Sequence, residues 1–137
     1  MIRLKFFVRS LLLLLTAAAL CAGGASAEEG DMIREFNEWR ETVAEKWRPF
    51  EELDLGSEWF SCYRLPSDVY AFYEMPYEQD ACCFLILGED KALLWDTGMG
   101  IGRLRSLTEK ITDLPIVVLN SHDHFDHIGG NAEFDEV

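Results

Sequence analysis

The sequence predicts an α+β fold, and three observations carry that prediction. Residues 31–47 place apolar side chains at helical spacing. Short runs rich in aromatic and β-branched residues follow, separated by turn residues, which is the pattern of early antiparallel strands. A second helical pattern at 101–112 then leads into an apolar run at 115–120, so that helices and strands stack as layers.

The N-terminus reads as a targeting segment. Arg3, Lys5 and Arg9 make a basic start, 11–19 is an uncharged apolar run, and Ala25-Ser26-Ala27 offers a small-residue cleavage site just before Glu28-Glu29. That order is the order of a secretory signal peptide, which would be removed after Ala27 and deliver the chain outside the cytoplasm, to a periplasm or beyond. The apolar stretch from 10 to 22 is 13 residues long. A membrane span needs about 20, so no stable span is expected after cleavage. The resulting division is 1–27 as signal, 28–57 as helix and connection, and 58–137 as the main domain.

In the helix at 31–47, Met32, Ile33, Phe36, Trp39, Val43 and Trp47 form one stripe, with Asp31 as N-cap and Pro49 beyond the end. The stripe suits a face that docks onto the domain. Residues 50–57 are polar and read as a connection. Strands are expected at 58–65 and 69–75 around Pro66-Ser67-Asp68, with a loop at 75–80. The runs 81–87 and 91–95 pair through Gly88-Glu89-Asp90, a hairpin signal. The helix at 101–112 presents Ile101, Leu104, Leu107 and Ile111 on one face, and Asp113-Leu114-Pro115 ends it.

Charge narrows the partners. The formal charge is −13, and loss of the three basic residues of 1–27 takes it to −16. Such a surface repels phosphate backbones and anionic lipid, so nucleic acid is not an expected partner. The partner expected is a small-molecule substrate, and oligomeric state is not legible. Cys62, Cys82 and Cys83 would remain after cleavage. Adjacent cysteines rarely bond each other; Cys62 pairs with one of them if their strands are neighbours, and otherwise all three are buried free thiols.

All three histidines fall within Ser121-His122-Asp123-His124-Phe125-Asp126-His127-Ile128-Gly129-Gly130. Imidazole nitrogens and carboxylate oxygens are ligands for zinc and similar cations. In extended backbone residues two apart share a side, so His122 and His124 converge on one cation. Asp126 and His127 follow a turn and reach toward a second. Gly129 and Gly130 permit close backbone approach.

This stretch resembles the metal-binding signature of the metallo-β-lactamase-fold hydrolases, which include lactamases, glyoxalase II-type thioesterases and lactonases. Leu93-Leu94-Trp95-Asp96-Thr97-Gly98-Met99-Gly100 resembles that family's earlier strand-Asp-Thr-Gly motif. The resemblance implies a four-layer αββα sandwich of which this chain holds the N-terminal half. It implies two zinc ions per full domain, with iron or manganese also compatible. His122 and His124 would hold the first metal, and Asp126 and His127 the second. Asp126 would also act catalytically by orienting the nucleophilic water, and Asp96 would support the ligands by hydrogen bonds. The implied activity is hydrolysis of an ester, thioester, lactone or lactam. The family's further ligands lie downstream of the signature, so the 137 residues are expected to be an N-terminal fragment with little activity alone. The competing reading is a short non-catalytic protein that binds metal or a partner.

Overall fold

The computed structural model describes residues 27–76 and 81–137. The expected signal segment, up to residue 26, and most of the loop at 75–80 lie outside them. Among the described residues no helix is long and apolar enough to cross a membrane. The chain divides into two compact units with the boundary between Lys46 and Trp47.

The first unit carries helix α1, Ala27–Trp47, which Trp47 of the second unit closes. Asp31 does not cap it, contrary to expectation. The helix runs through Asp31, whose carboxylate instead pairs with Arg34 one turn on, at 3.0 Å. Phe36 and Trp39 stack at 5.7 Å between centroids.

The second unit is built on one six-stranded sheet in sequence order: β1 (Glu51–Leu53), β2 (Phe60–Leu65), β3 (Val69–Glu74), β4 (Cys82–Leu87), β5 (Ala92–Trp95) and β6 (Ile116–Leu119). The first five are antiparallel, and β6 runs parallel to β5. A parallel neighbour requires a crossover, and helix α2 (Leu104–Thr108) supplies it. Ser67 and Asp68 adopt φ of 63° and 55° at the β2–β3 turn, the left-handed region that tight hairpins use.

Period-two alternation sorts the sheet into two faces. On one, Cys62 pairs across Phe72 to Cys83, and Leu85 across Leu94 to Val118. Leu104, Leu107 and Phe134 cover this face and complete the core. On the other, the Trp47 ring stacks on Tyr63 at 4.9 Å and meets Tyr73 at 6.0 Å. Further along that face Phe84, Ile86, Leu93, Trp95, Val117 and Leu119 lie in register, with Trp95 39% and Leu119 49% exposed.

Two expectations are corrected. The connection at 50–57 contains β1, a three-residue edge strand in which only Leu53 turns toward the core, too short and polar to signal itself. The helix expected at 101–112 shrinks to five residues. Gly102 lies so close to the rings of Phe60 and Trp59 that a Cβ would sit 2.6 Å away, and Ile101 stays 60% exposed rather than joining the packed face. At the far end Lys110 and Ile111 bond back three residues, to Leu107 and Thr108, so the chain tightens out of the α-helix. Glu133, beyond the histidine motif, accepts the free N–H groups of Leu104 and Arg105, while Arg105 donates to the Glu133 carbonyl at 2.7 Å. That clamp ties the end of the motif segment to α2.

Strands β2 and β4 are separated by β3, so Cys62 is not a neighbour of Cys82 or Cys83, and all three are free thiols.

Candidate metal centre

The site forms where β5 and β6 end side by side. Asp96 follows β5 and Asn120 follows β6, and Asp96 N donates to Leu119 O as the last rung between them. Asp96 has φ of 62°, a conformation uncommon outside glycine but tolerated by aspartate. The bend turns its carboxylate, 3% exposed as a residue, under the start of the motif. Oδ1 accepts from Ser121 N at 2.7 Å, and Oδ2 accepts from Ser121 Oγ at 2.8 Å. Oδ2 also lies 2.8 Å from His127 Nδ1.

These bonds assign the imidazole protons. A carboxylate only accepts, so His127 carries its proton on Nδ1. The single Ser121 hydroxyl proton goes to Asp96, so Ser121 Oγ accepts from His122 Nδ1, 2.9 Å away. In the neutral form of each ring Nε2 is then the atom with the lone pair. Asp96 orients one directly and the other through Ser121.

Phe125–Ile128 is a single helical turn, α3, which sets Asp126 and His127 in succession. His124 precedes it in extended backbone, with φ of −70° and ψ of 144°. The three imidazoles gather: His122 lies 4.5 Å from His124 and 4.1 Å from His127, centroid to centroid. His122 is thus near both of the other rings, and the motif brings all three imidazoles together.

Asp126 is 8% exposed, and its Oδ2 lies 3.8 Å from His127 Nε2. Two donors sharing a zinc at tetrahedral angles lie about 3.4 Å apart. A buried carboxylate facing an imidazole lone pair suits a cation between them. Among the described residues no group of three or more His, Cys, Asp or Glu side chains already stands in a metal-holding arrangement. The fit to a metal is in the chemistry and proximity of the donors.

The backbone beneath is fixed from several sides. His127 O accepts from Thr97 N at 2.8 Å and from Asn120 Nδ2 at 3.0 Å. Asn131 accepts from the Thr97 hydroxyl at 2.8 Å and donates to Asn120 Oδ1 at 2.8 Å, linking the three side chains in a row. A Cβ on Gly129 would fall 2.3 Å from Met99 backbone atoms, so only glycine allows the loop after β5 to lie against the motif. Close behind is Glu74, fully buried, whose carboxyl burial pushes above the usual range against opposing bonds from Trp59 and Met99.

Thr97, Asn120, Asn131 and Glu74 escape sequence reasoning. Glu74 alone left a signal: it sits two residues after Phe72 in β3 and so shares its core face, where a charge is out of place.

The Asp-Thr-Gly bend and the His-rich turn are the two motifs that carry the resemblance to the metallo-β-lactamase-fold hydrolases. A sequence model of the metallo-beta-lactamase superfamily matches residues 80–137, which bears out the resemblance over that segment. The chain is similar to the acyl-coenzyme A thioesterase MBLAC2 of Homo sapiens, 29% identical over 94 residues, covering 58% of this chain and 34% of that protein. The Gallus gallus protein of the same name is 32% identical over 94 residues, covering 58% and 33%. The chain thus spans about a third of the length of these curated relatives.

Proposed function

We propose that this chain carries the metal-binding half of a metal-dependent hydrolase that cleaves thioesters. The observation that carries the reading is the buried Asp126 carboxylate facing Nε2 of His127 at 3.8 Å, with two further imidazoles adjacent. The relatives' description as acyl-coenzyme A thioesterases supports a thioester within the wider class of esters, lactones and lactams.

In this reading His122 and His124 hold one zinc, and Asp126 and His127 a second. When bound, zinc supplies hydroxide near neutral pH by lowering the pKa of its water to about 7. The chain's own residues prepare the site. Asp96 keeps the His127 proton on Nδ1, and Ser121 does the same for His122. Asp126 carries the negative charge that orients the attacking water. The apolar face of Phe84, Ile86, Leu93, Trp95, Val117 and Leu119 supports a second sheet as its cover, which completes an αββα sandwich with the site at its edge. Two protein donors per cation fall short of the three or four that zinc sites use, so residues 1–137 alone bind metal weakly and turn over little. Export through the N-terminal segment, with Glu28 as the mature N-terminus, belongs to the same proposal and is checked by mass analysis of secreted protein.

The test is thiol release from acyl-coenzyme A substrates, beside a lactone and a chromogenic lactam, by the protein expressed from the complete reading frame with zinc. Thioester cleavage that Asp126→Asn abolishes is the expected result. Preference for lactam or lactone overturns the substrate, and no hydrolysis of any of them overturns the enzyme.

A further inference from the structure

We propose that Glu74 is a positioning residue for the metal motif, holding the loop at 97–99 from behind so that the loop's other edge fixes the backbone at His127 and Gly129. Glu74 ends β3 on the core face, opposite Phe60 in register, and is fully buried. Its carboxylate accepts from Trp59 Nε1 at 2.7 Å and from Met99 N at 3.2 and 3.3 Å. Gly98, with φ of 68°, lies so close that a Cβ would meet Oε1 at 2.8 Å. On the other edge of the same loop, Thr97 N donates to His127 O at 2.8 Å and Gly98 O accepts from Gly129 N at 2.8 Å. Glu74 and the motif therefore grip opposite sides of three residues.

Packing alone does not call for this side chain. Phe72, two residues earlier on the same face, shows what the core takes there, and burying a carboxylate is costly without a purpose for its acceptors. What an apolar residue cannot do is accept the Met99 N–H. Without that bond the loop loses its rear anchor, and the rungs to His127 and Gly129 loosen. The His127 ring then leaves the Asp96 carboxylate that fixes its tautomer.

The experiment uses the metal-free 137-residue chain, with nitrogen-15 resonances of the histidine rings and amide exchange as readouts. The wild type shows His127 as a single Nδ1–H tautomer. In Glu74→Leu its ring averages between tautomers, and exchange at Thr97 and Gly129 rises about tenfold while Leu94 and Val118 hold. Glu74→Gln keeps an acceptor of the same reach and restores both signatures. Glu74→Asp keeps the charge but is one methylene short, and behaves as Glu74→Leu. Should Glu74→Leu fail to fold, the Gln and Asp pair decides. Wild-type signatures in Glu74→Asp, or a Gln variant as loose as the Asp one, overturn the proposal. The inference rests on the metal reading only for its consequence, which cobalt(II) alone probes: Glu74→Asp weakens cobalt broadening at His127 more than at His124. No broadening in any variant sinks the metal reading, while the ring and exchange results still decide the role of Glu74.

Discussion

Asp96 Oδ2 and His127 Nδ1 meet at 2.8 Å across 31 residues of sequence, joining the end of one strand to the helical turn after the next. The same oxygen takes the Ser121 hydroxyl, which in turn receives His122 Nδ1–H. One carboxylate thus sets the tautomer of two imidazoles, one directly and one through Ser121. A supporting hydrogen bond of this kind fixes a ligand's tautomer and orientation.

Asp96→Asn removes the charge and one acceptor. It should weaken zinc binding by about 10- to 100-fold, the usual loss for such a partner, and leave the sheet intact. Chelator-competition titration beside circular dichroism checks both halves. Unchanged affinity in a folded variant would show that Asp96 supports only the turn.

Gly129→Ala should destabilise the fold by about 1–3 kcal/mol, because a Cβ would press on the Met99 backbone at 2.3 Å and one strand-end loop must move. Urea unfolding measures it. A wild-type midpoint would mean that the loop and motif are not in the contact described.

The motif was legible because histidine is scarce in this chain and concentrated in one turn, and because aspartate before Thr-Gly at a strand end marks a bend. The strands at 81–87 and 91–95 were legible from apolar runs meeting at a turn; in the structure they begin one residue later, at Cys82 and Ala92. The closeness of His127 to His122 was not. Spacing in extended backbone pairs His122 with His124, but the chain becomes helical at Phe125 and brings His127 closer to His122 than His124 is. Glu74 and Asn131 acquire their roles through partners that include residues 25 and 34 positions away, which no local pattern contains. The long helix failed because periodicity at 101–112 ignores the contact of Gly102 with Phe60.

Burial pushes the Cys62 thiol from 9.0 to about 12 and the Cys83 thiol well above its ordinary value. The unfolded thiol ionises near pH 9 and the folded Cys62 does not until about pH 12. The stability Cys62 contributes is therefore complete below pH 9 and declines as pH rises from there toward 12. Cys62→Ser should flatten the alkaline limb of stability against pH. In the native chain at pH 8 a thiol reagent should label half-buried Cys82 before Cys62 or Cys83. Equal labelling of all three would contradict the packing given for β2 and β4.

The open half of the sheet's outer face should drive association. Trp95→Lys with Leu119→Lys places charge on that face without touching the core side of β5 or β6. Light scattering should show less self-association at an unchanged thermal midpoint. Equal scattering would mean that the face is not an adhesive surface.

The central claim is that His122, His124, Asp126 and His127 are metal donors, and cobalt(II) titration of the metal-free chain followed at the histidine rings tests it most directly. The three rings should broaden together, and Asp126→Asn should weaken the effect at His127 first. Rings that stay sharp as cobalt is added, or broadening that Asp126→Asn and His122→Ala leave unchanged, would contradict the account.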